Sequence, residues 1–207
     1  MGKRGPGLAR LQPLIENLKR EIKLTTATTL KGPAFTVSAA PATYGAGAVG
    51  TEIAPQTFIQ NVGGEFITTI LLDLTGLKTD EDAQKVIGLG AGGAAYLLQY
   101  NASTMGILYK AQLECLEIPT AAGSLNLDID IRAINAADKE WDADASSYRV
   151  ILNSGGDMAK GQTFEGLAVV PTDEDYVYMS TGAAEGGGDG QYTAGKIAIR
   201  LFGRASF

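Results

Sequence analysis

Between residues 124 and 134 the chain alternates with a period of two. Leu125, Leu127, Ile129 and Ile131 fall on one side, and Asn126, Asp128, Asp130 and Arg132 on the other. Only an extended strand separates successive side chains in this way, and the split into apolar and polar rows predicts an antiparallel strand with one solvated face. The same period recurs over residues 34–39, 65–74, 94–100, 106–118, 148–153, 163–169, 175–180 and 196–202. Roughly nine strands divided by Gly, Pro and Asp turns predict an all-β fold, an antiparallel, jelly-roll-like β-sandwich, and argue against βαβ units. Residues 41–55, rich in Gly, Ala and Pro, read as a loop.

Two segments depart from that period. Over residues 13–24, Leu14, Leu18 and Ile22 recur at four-residue spacing with Ile15 alongside, Pro13 suits the first turn, and Lys19, Arg20 and Lys23 gather towards the C-terminal end. This predicts a short amphipathic helix, marginal alone, that docks on its own body or on a neighbouring subunit. Thr79-Asp80-Glu81-Asp82 matches a capping box and predicts one short internal helix to about Ile87, ended by Gly88. The expected organisation is a basic N-terminal arm and helix over residues 1–30, and a β-sandwich domain over residues 31–207.

Composition removes much of enzymology. The 207 residues include no histidine and one cysteine, which excludes His-activated nucleophiles, His-based metal sites, an internal disulfide and a CxxC site. Residues 1–23 hold six basic side chains, including Lys3, Arg4 and Arg10, against Glu16 and Glu21, a net of +4. The whole chain is −6, so residues 24–207 carry −10. An acidic body disfavours nucleic-acid wrapping. The basic segment either pairs with an acidic surface on a partner or stays solvated. No apolar h-region follows the basic start, and the uncharged stretch from Val86 to Tyr109 contains five glycines, so neither a secretory leader nor a membrane span is expected.

The 27 glycines create several nucleotide-like motifs. Gly45-Ala-Gly47-Ala-Val-Gly50 and Gly88-Leu-Gly90-Ala-Gly92-Gly93 satisfy GxGxxG, yet neither sits between a strand and a helix N-terminus, as a dinucleotide site requires. Gly190 to Lys196 matches GxxxxGK, but Ile197 stands where a magnesium-binding Ser or Thr belongs, so it reads as a turn into the last strand. Cys115 is in register with Ile107, Tyr109, Ala111 and Leu113, which predicts an unreactive core thiol. Asp138, Glu140, Asp142 and Asp144 surround the only tryptophan, Trp141. They could hold calcium, although Ala143 or Ser147 occupies the glycine position of an EF-hand. Trp141 with Tyr148 could also stack on a sugar or anchor a partner, or the whole could be a solvated loop. No cofactor is expected.

With the strands placed, four segments resemble one family together. These are residues 64–76 (GEFITTILLDLTG), 93–99 (GAAYLLQ), 113–119 (LECLEIP) and 188–203 (GDGQYTAGKIAIRLFG). Their order resembles a group of tailed-bacteriophage virion proteins, found especially among marine phages, over about residues 60–203. The resemblance implies a non-enzymatic capsid decoration (cement) protein on the outer surface of the phage head, bound to the major capsid protein, with a homotrimer expected. Partner contacts are then expected from Lys3, Arg4, Arg10, Leu14, Leu18, Lys19, Arg20, Ile22 and Trp141. The alternative is a carbohydrate- or receptor-binding sandwich of a fibre or tail, built on Trp141 and Tyr148.

Overall fold

A computed structural model describes residues 35–38, 43–50, 54–80, 82–90, 92–122, 127–182 and 190–205. Among them are eleven strands: β1 (Phe35–Ser38), β2 (Gln56–Val62), β3 (Glu65–Asp73), β4 (Lys78–Thr79), β5 (Leu98–Gln99), β6 (Ile107–Ala122), β7 (Ile129–Ile134), β8 (Arg149–Leu152), β9 (Thr163–Gly166), β10 (Tyr176–Thr181) and β11 (Gly190–Arg204). They form two antiparallel sheets. A seven-stranded sheet runs β1-β2-β3-β11-β6-β9 with β4 beside β11, and a four-stranded sheet runs β5-β10-β7-β8. The all-β sandwich is therefore the observed class. Inner rows of both sheets share one core, with Ile70, Leu72, Leu113, Ile197 and Ile199 from the larger sheet and Ile131, Val177 and Met179 from the smaller. Each such side chain contributes about 1.5–3 kcal/mol by leaving water.

The strands follow the alternation closely in β3, β10 and β11, and less closely elsewhere. The pattern does not mark β2, because Gln56, Gln60 and Asn61 interrupt its apolar row of Phe58, Ile59 and Val62. It pairs with β3 from Val62↔Glu65 to Gln56↔Leu71. Gly63 and Gly64, at φ 65° and 88°, supply the two left-handed residues that a two-residue hairpin turn demands.

β6 breaks its own period. Its pairing with β11 shifts register between Phe202 and Gly203 and again between Lys196 and Ile197, so extra β6 residues bulge outward. Ala111, Leu113 and Cys115 are buried as expected, but Ile107 and Tyr109 lie exposed. The alternation of residues 106–118 does not show this, because a bulge depends on the partner strand.

The internal helix is not where the capping-box letters place it. Lys78 and Thr79 pair with β11, the Asp80 side chain closes an Asx turn by accepting from the Asp82 N–H at 2.8 Å, and Lys85 and Val86 bridge to Asp144 and Ser180. Val86 and Ile87 are both buried, in different clusters, which an extended backbone allows and a single helix face does not. The short α-helix is α1 (Ala102–Met105), whose N-cap Asn101 accepts from the N–H groups of Ser103 and Thr104. Asn101→Ala is expected to lower stability by about 1 kcal/mol, read as a reduced urea midpoint at unchanged slope.

The largest correction concerns β7. Residues 123–126 lie outside the description, but Asp128, Asp130 and Arg132 are buried, not solvated. β7 is an interior strand of its sheet, and its polar row is covered by residues 145–148, with the Ala145 carbonyl accepting from Arg132 and the Tyr148 ring against Tyr178, while segments 84–87 and 142–145 extend the sheet beyond the free edge of β10. The segment 84–87 bonds to β10 through Ile87 N–H to Met179 O and Thr181 N–H to Lys85 O. It bonds to residues 142–145 through Val86 N–H to Ala143 O and Ala145 N–H to Gln84 O. On this face Val86, Ala95, Ala145, Tyr148 and Tyr178 form a second, smaller core. Alternation separates two rows of side chains; it does not say what lies over either row.

Candidate functional site

Beneath residues 145–148, the charged row of β7 is internally matched. Arg132 donates through Nη2 to Asp130 Oδ2 at 3.0 Å and through Nη1 to the Ala145 carbonyl at 3.1 Å. The Ser154 N–H reaches Asp130 Oδ1 at 3.1 Å, and the Ser154 hydroxyl donates to Asp128. Burial pushes the Asp130 carboxyl above its ordinary value, against the opposing pull of Arg132 and the Ser154 N–H. A second buried carboxylate, Asp175, accepts from Arg149 and from the Thr172 N–H, both at 2.8 Å. Asp130 and Asp175 each lie buried against a cation and a backbone N–H already in place, although Arg132 Nε and Asp175 Oδ1 have no hydrogen-bond partner.

The acidic loop around Trp141 resolves in a similar way. Lys85 pairs with Asp142 at 3.3 Å, and this contact raises the lysine above its ordinary value. Lys139 pairs with Asp138 at 3.2 Å. Asp144 accepts from the Ser146 N–H, which lowers its carboxyl. Among the described residues no group of three or more such side chains is placed to hold a metal ion. Trp141 is half-buried, with Lys78 Nζ 5.0 Å from its ring centre. Tyr148 is buried, its ring 5.9 Å from Tyr178 and its phenol pushed up to about 12 by burial. The two aromatics therefore do not present a common stacking surface.

The glycine motifs are packing devices. The loop at residues 43–50 lies against residues 93–96, with Gly45 N–H donating to Tyr96 O and Gly47 N–H to Ala94 O, both at 2.8 Å, and Leu89 N–H to Gly47 O at 2.7 Å. A Cβ on Gly45 would overlap the Ala94 carbonyl oxygen, and one on Gly47 the Gly93 carbonyl oxygen. The two GxGxxG runs thus interlock backbone to backbone. The GxxxxGK run lies within β11 itself, at a register shift against β6, and its Lys196 is paired with Glu117. Cys115 is buried and its thiol raised by burial.

Of the residues expected to meet a partner, Lys3, Arg4, Arg10, Leu14, Leu18, Lys19, Arg20 and Ile22 lie outside the described residues, as does the boundary at residues 30 and 31. No family model, curated protein or solved structure matches this chain.

Among the described residues, the outer face of the larger sheet is assembled from strands β3, β11, β6 and β9. It carries an ion-pair ladder: Arg204–Glu65, Lys110–Glu165, Arg200–Glu114 and Lys196–Glu117. Tyr109 packs on Phe202 and receives the Arg204 guanidinium 4.5 Å from its ring centre. No local pattern marks this surface as a unit, because it is assembled from strands far apart in the chain. Its one legible element is the apolar content of residues 107–118.

Proposed function

We propose that this chain is a non-enzymatic structural protein of a tailed-phage particle, a decoration protein that binds the major capsid protein lattice and stabilises the head from its outer surface. The observation that carries the reading is the division of charge, +4 over residues 1–23 against −10 over the remainder. The resemblance of residues 60–203 to phage virion proteins supports it. A basic segment joined to an acidic sandwich gives two attachments of opposite character. Lys3, Arg4, Arg10, Lys19 and Arg20 pair with acidic capsid surface, Leu14, Leu18 and Ile22 bury apolar area, and the sandwich supplies the reinforcing body. Self-association into a homotrimer belongs to the same reading.

Deleting residues 1–24 tests it. Removing one of two linked attachments is expected to weaken particle binding by about 100-fold or more. The intact chain should also detach in roughly 1 M salt, where the Debye length is about 3 Å. Gel densitometry of sedimented particles measures both. Unchanged occupancy after the deletion would remove the basic segment from the mechanism.

A further inference from the structure

The connection between β7 and β8, residues 135–148, joins two strands that pair directly with each other. Such a step ordinarily takes about two to five residues. Here the chain travels along the seam with segment 84–87 and returns across the outer face of its own sheet. Its first part is pinned, with the Tyr178 hydroxyl donating to Ala136 O at 2.6 Å and the Ala95 N–H to Lys139 O at 2.7 Å. Residues 140–148 are held more lightly. Their backbone ties to the seam are Asp142 N–H to Val86 O, Val86 N–H to Ala143 O and Ala145 N–H to Gln84 O. The sheet below adds the Arg132 bond to the Ala145 carbonyl, and Lys85 adds an ion pair with the half-exposed Asp142. Ala145 and Tyr148 are the apolar side chains that this stretch buries fully.

Two observations work against that hold. Trp141 Nε1 and the Tyr148 hydroxyl in this stretch, and Arg132 Nε beneath it, are buried without a hydrogen-bond partner. A buried polar atom left unbonded gives up its hydration for nothing in return, so the closed arrangement is penalised at three atoms. The seam itself is strained. Gln84 and Asp142, on its two sides, hold left-handed backbone at φ 59° and 68°, a region that side chains with a Cβ enter at a cost.

We propose that residues 140–148 are a strap that lifts from the smaller sheet as a unit while the rest of the sandwich stays folded. Closed, it seals the Asp130–Arg132 pair; open, it bares that pair together with the Trp141 and Tyr148 rings. Segments with little buried apolar surface and few backbone ties are the ones from which local opening is drawn. The strap stands on these contacts alone and does not depend on the phage assignment.

Hydrogen exchange of the full-length chain, followed by NMR without denaturant, tests it at two adjacent amides. The Val86 N–H bonds to the strap at Ala143 O, whereas the Ile87 N–H bonds to β10 at Met179 O, both at 3.0 Å. Val86, Asp142 and Ala145 are expected to share one protection factor, about 100-fold or more below that of Ile87. Equal protection at Val86 and Ile87 would overturn the proposal. So would loss of protection at Asp142 alone, which is fraying of a loop tip and not the lifting of a unit. Tyr148→Phe gives a second readout. Removing a hydroxyl that the closed strap leaves unbonded should raise protection at Val86 and Ala145 by about fivefold. Unchanged or lower protection would mean that this hydroxyl does not oppose closure, against the proposal.

Discussion

Arg132→Met alone is expected to destabilise the protein by about 3–5 kcal/mol, and adding Asp130→Asn to recover most of that loss. The single change leaves the Asp130 carboxylate fully buried without its cation, facing only the Ser154 N–H. The double change removes both charges, while the amide oxygen introduced at position 130 keeps an acceptor for Ser154. The interaction energy between the two sites should be on the order of 2 kcal/mol. Acidity gives a second readout. Asp130 has a folded pKa above its unfolded one, so the native state binds the extra proton, and this residue's contribution to stability improves as pH falls through the raised value. Without Arg132 that pKa rises further. The deficit of the single variant relative to wild type should therefore shrink in mild acid, while that of the double variant should not. Urea unfolding of wild type, the two single variants and the double variant, near neutrality and in mild acid, measures all of this. Equal losses for the single and double variants would mean that the polar row of β7 is not a coupled pair.

Gly45→Ala and Gly47→Ala should each cost about 3 kcal/mol or more, the upper range for overpacking. In both cases the added Cβ overlaps a carbonyl oxygen of the facing backbone. No side chain can rotate away to relieve such a contact. The loops must part, and the hydrogen bonds from Gly45 to Tyr96 and from Gly47 to Ala94 go with them. Gly63→Ala provides the comparison. Gly63 sits at positive φ, but nothing lies within 4 Å of an added Cβ, so it should lose only about 1 kcal/mol of backbone preference. Thermal melting of the three variants separates the two causes. Similar small losses at all three positions would show that the interlock of the two glycine runs is loose.

The sandwich was legible where strands carry unbroken alternation, as in Phe66 to Leu72 and Ile197 to Leu201. It was less so where the decisive partner is distant in sequence. Gly63-Gly64 between Val62 and Glu65 is a readable hairpin signal, and it could have located β2 despite Gln56, Gln60 and Asn61. Asn101 followed by Ser103 and Thr104 could have located α1. By contrast, Asp130 and Arg132 look solvated in any local window, because the residues that meet them, Ala145 and Ser154, come from later parts of the chain. The bulges that turn Ile107 and Tyr109 outward depend on β11, at the far end of the chain. The acidic loop misled in another way: Lys85 and Lys139, which neutralise Asp142 and Asp138, are part of its environment but only one of them is its neighbour in sequence.

The most direct measurement of the proposed function is the copy number of the purified chain on mature tailed-phage particles of the kind the proposal assigns it to, counted by electron microscopy. The account predicts saturable density at fixed lattice positions on the outside of the head, at a stoichiometric ratio to the major capsid protein. Particles whose heads remain bare at saturating protein, or density confined to the tail, would contradict it.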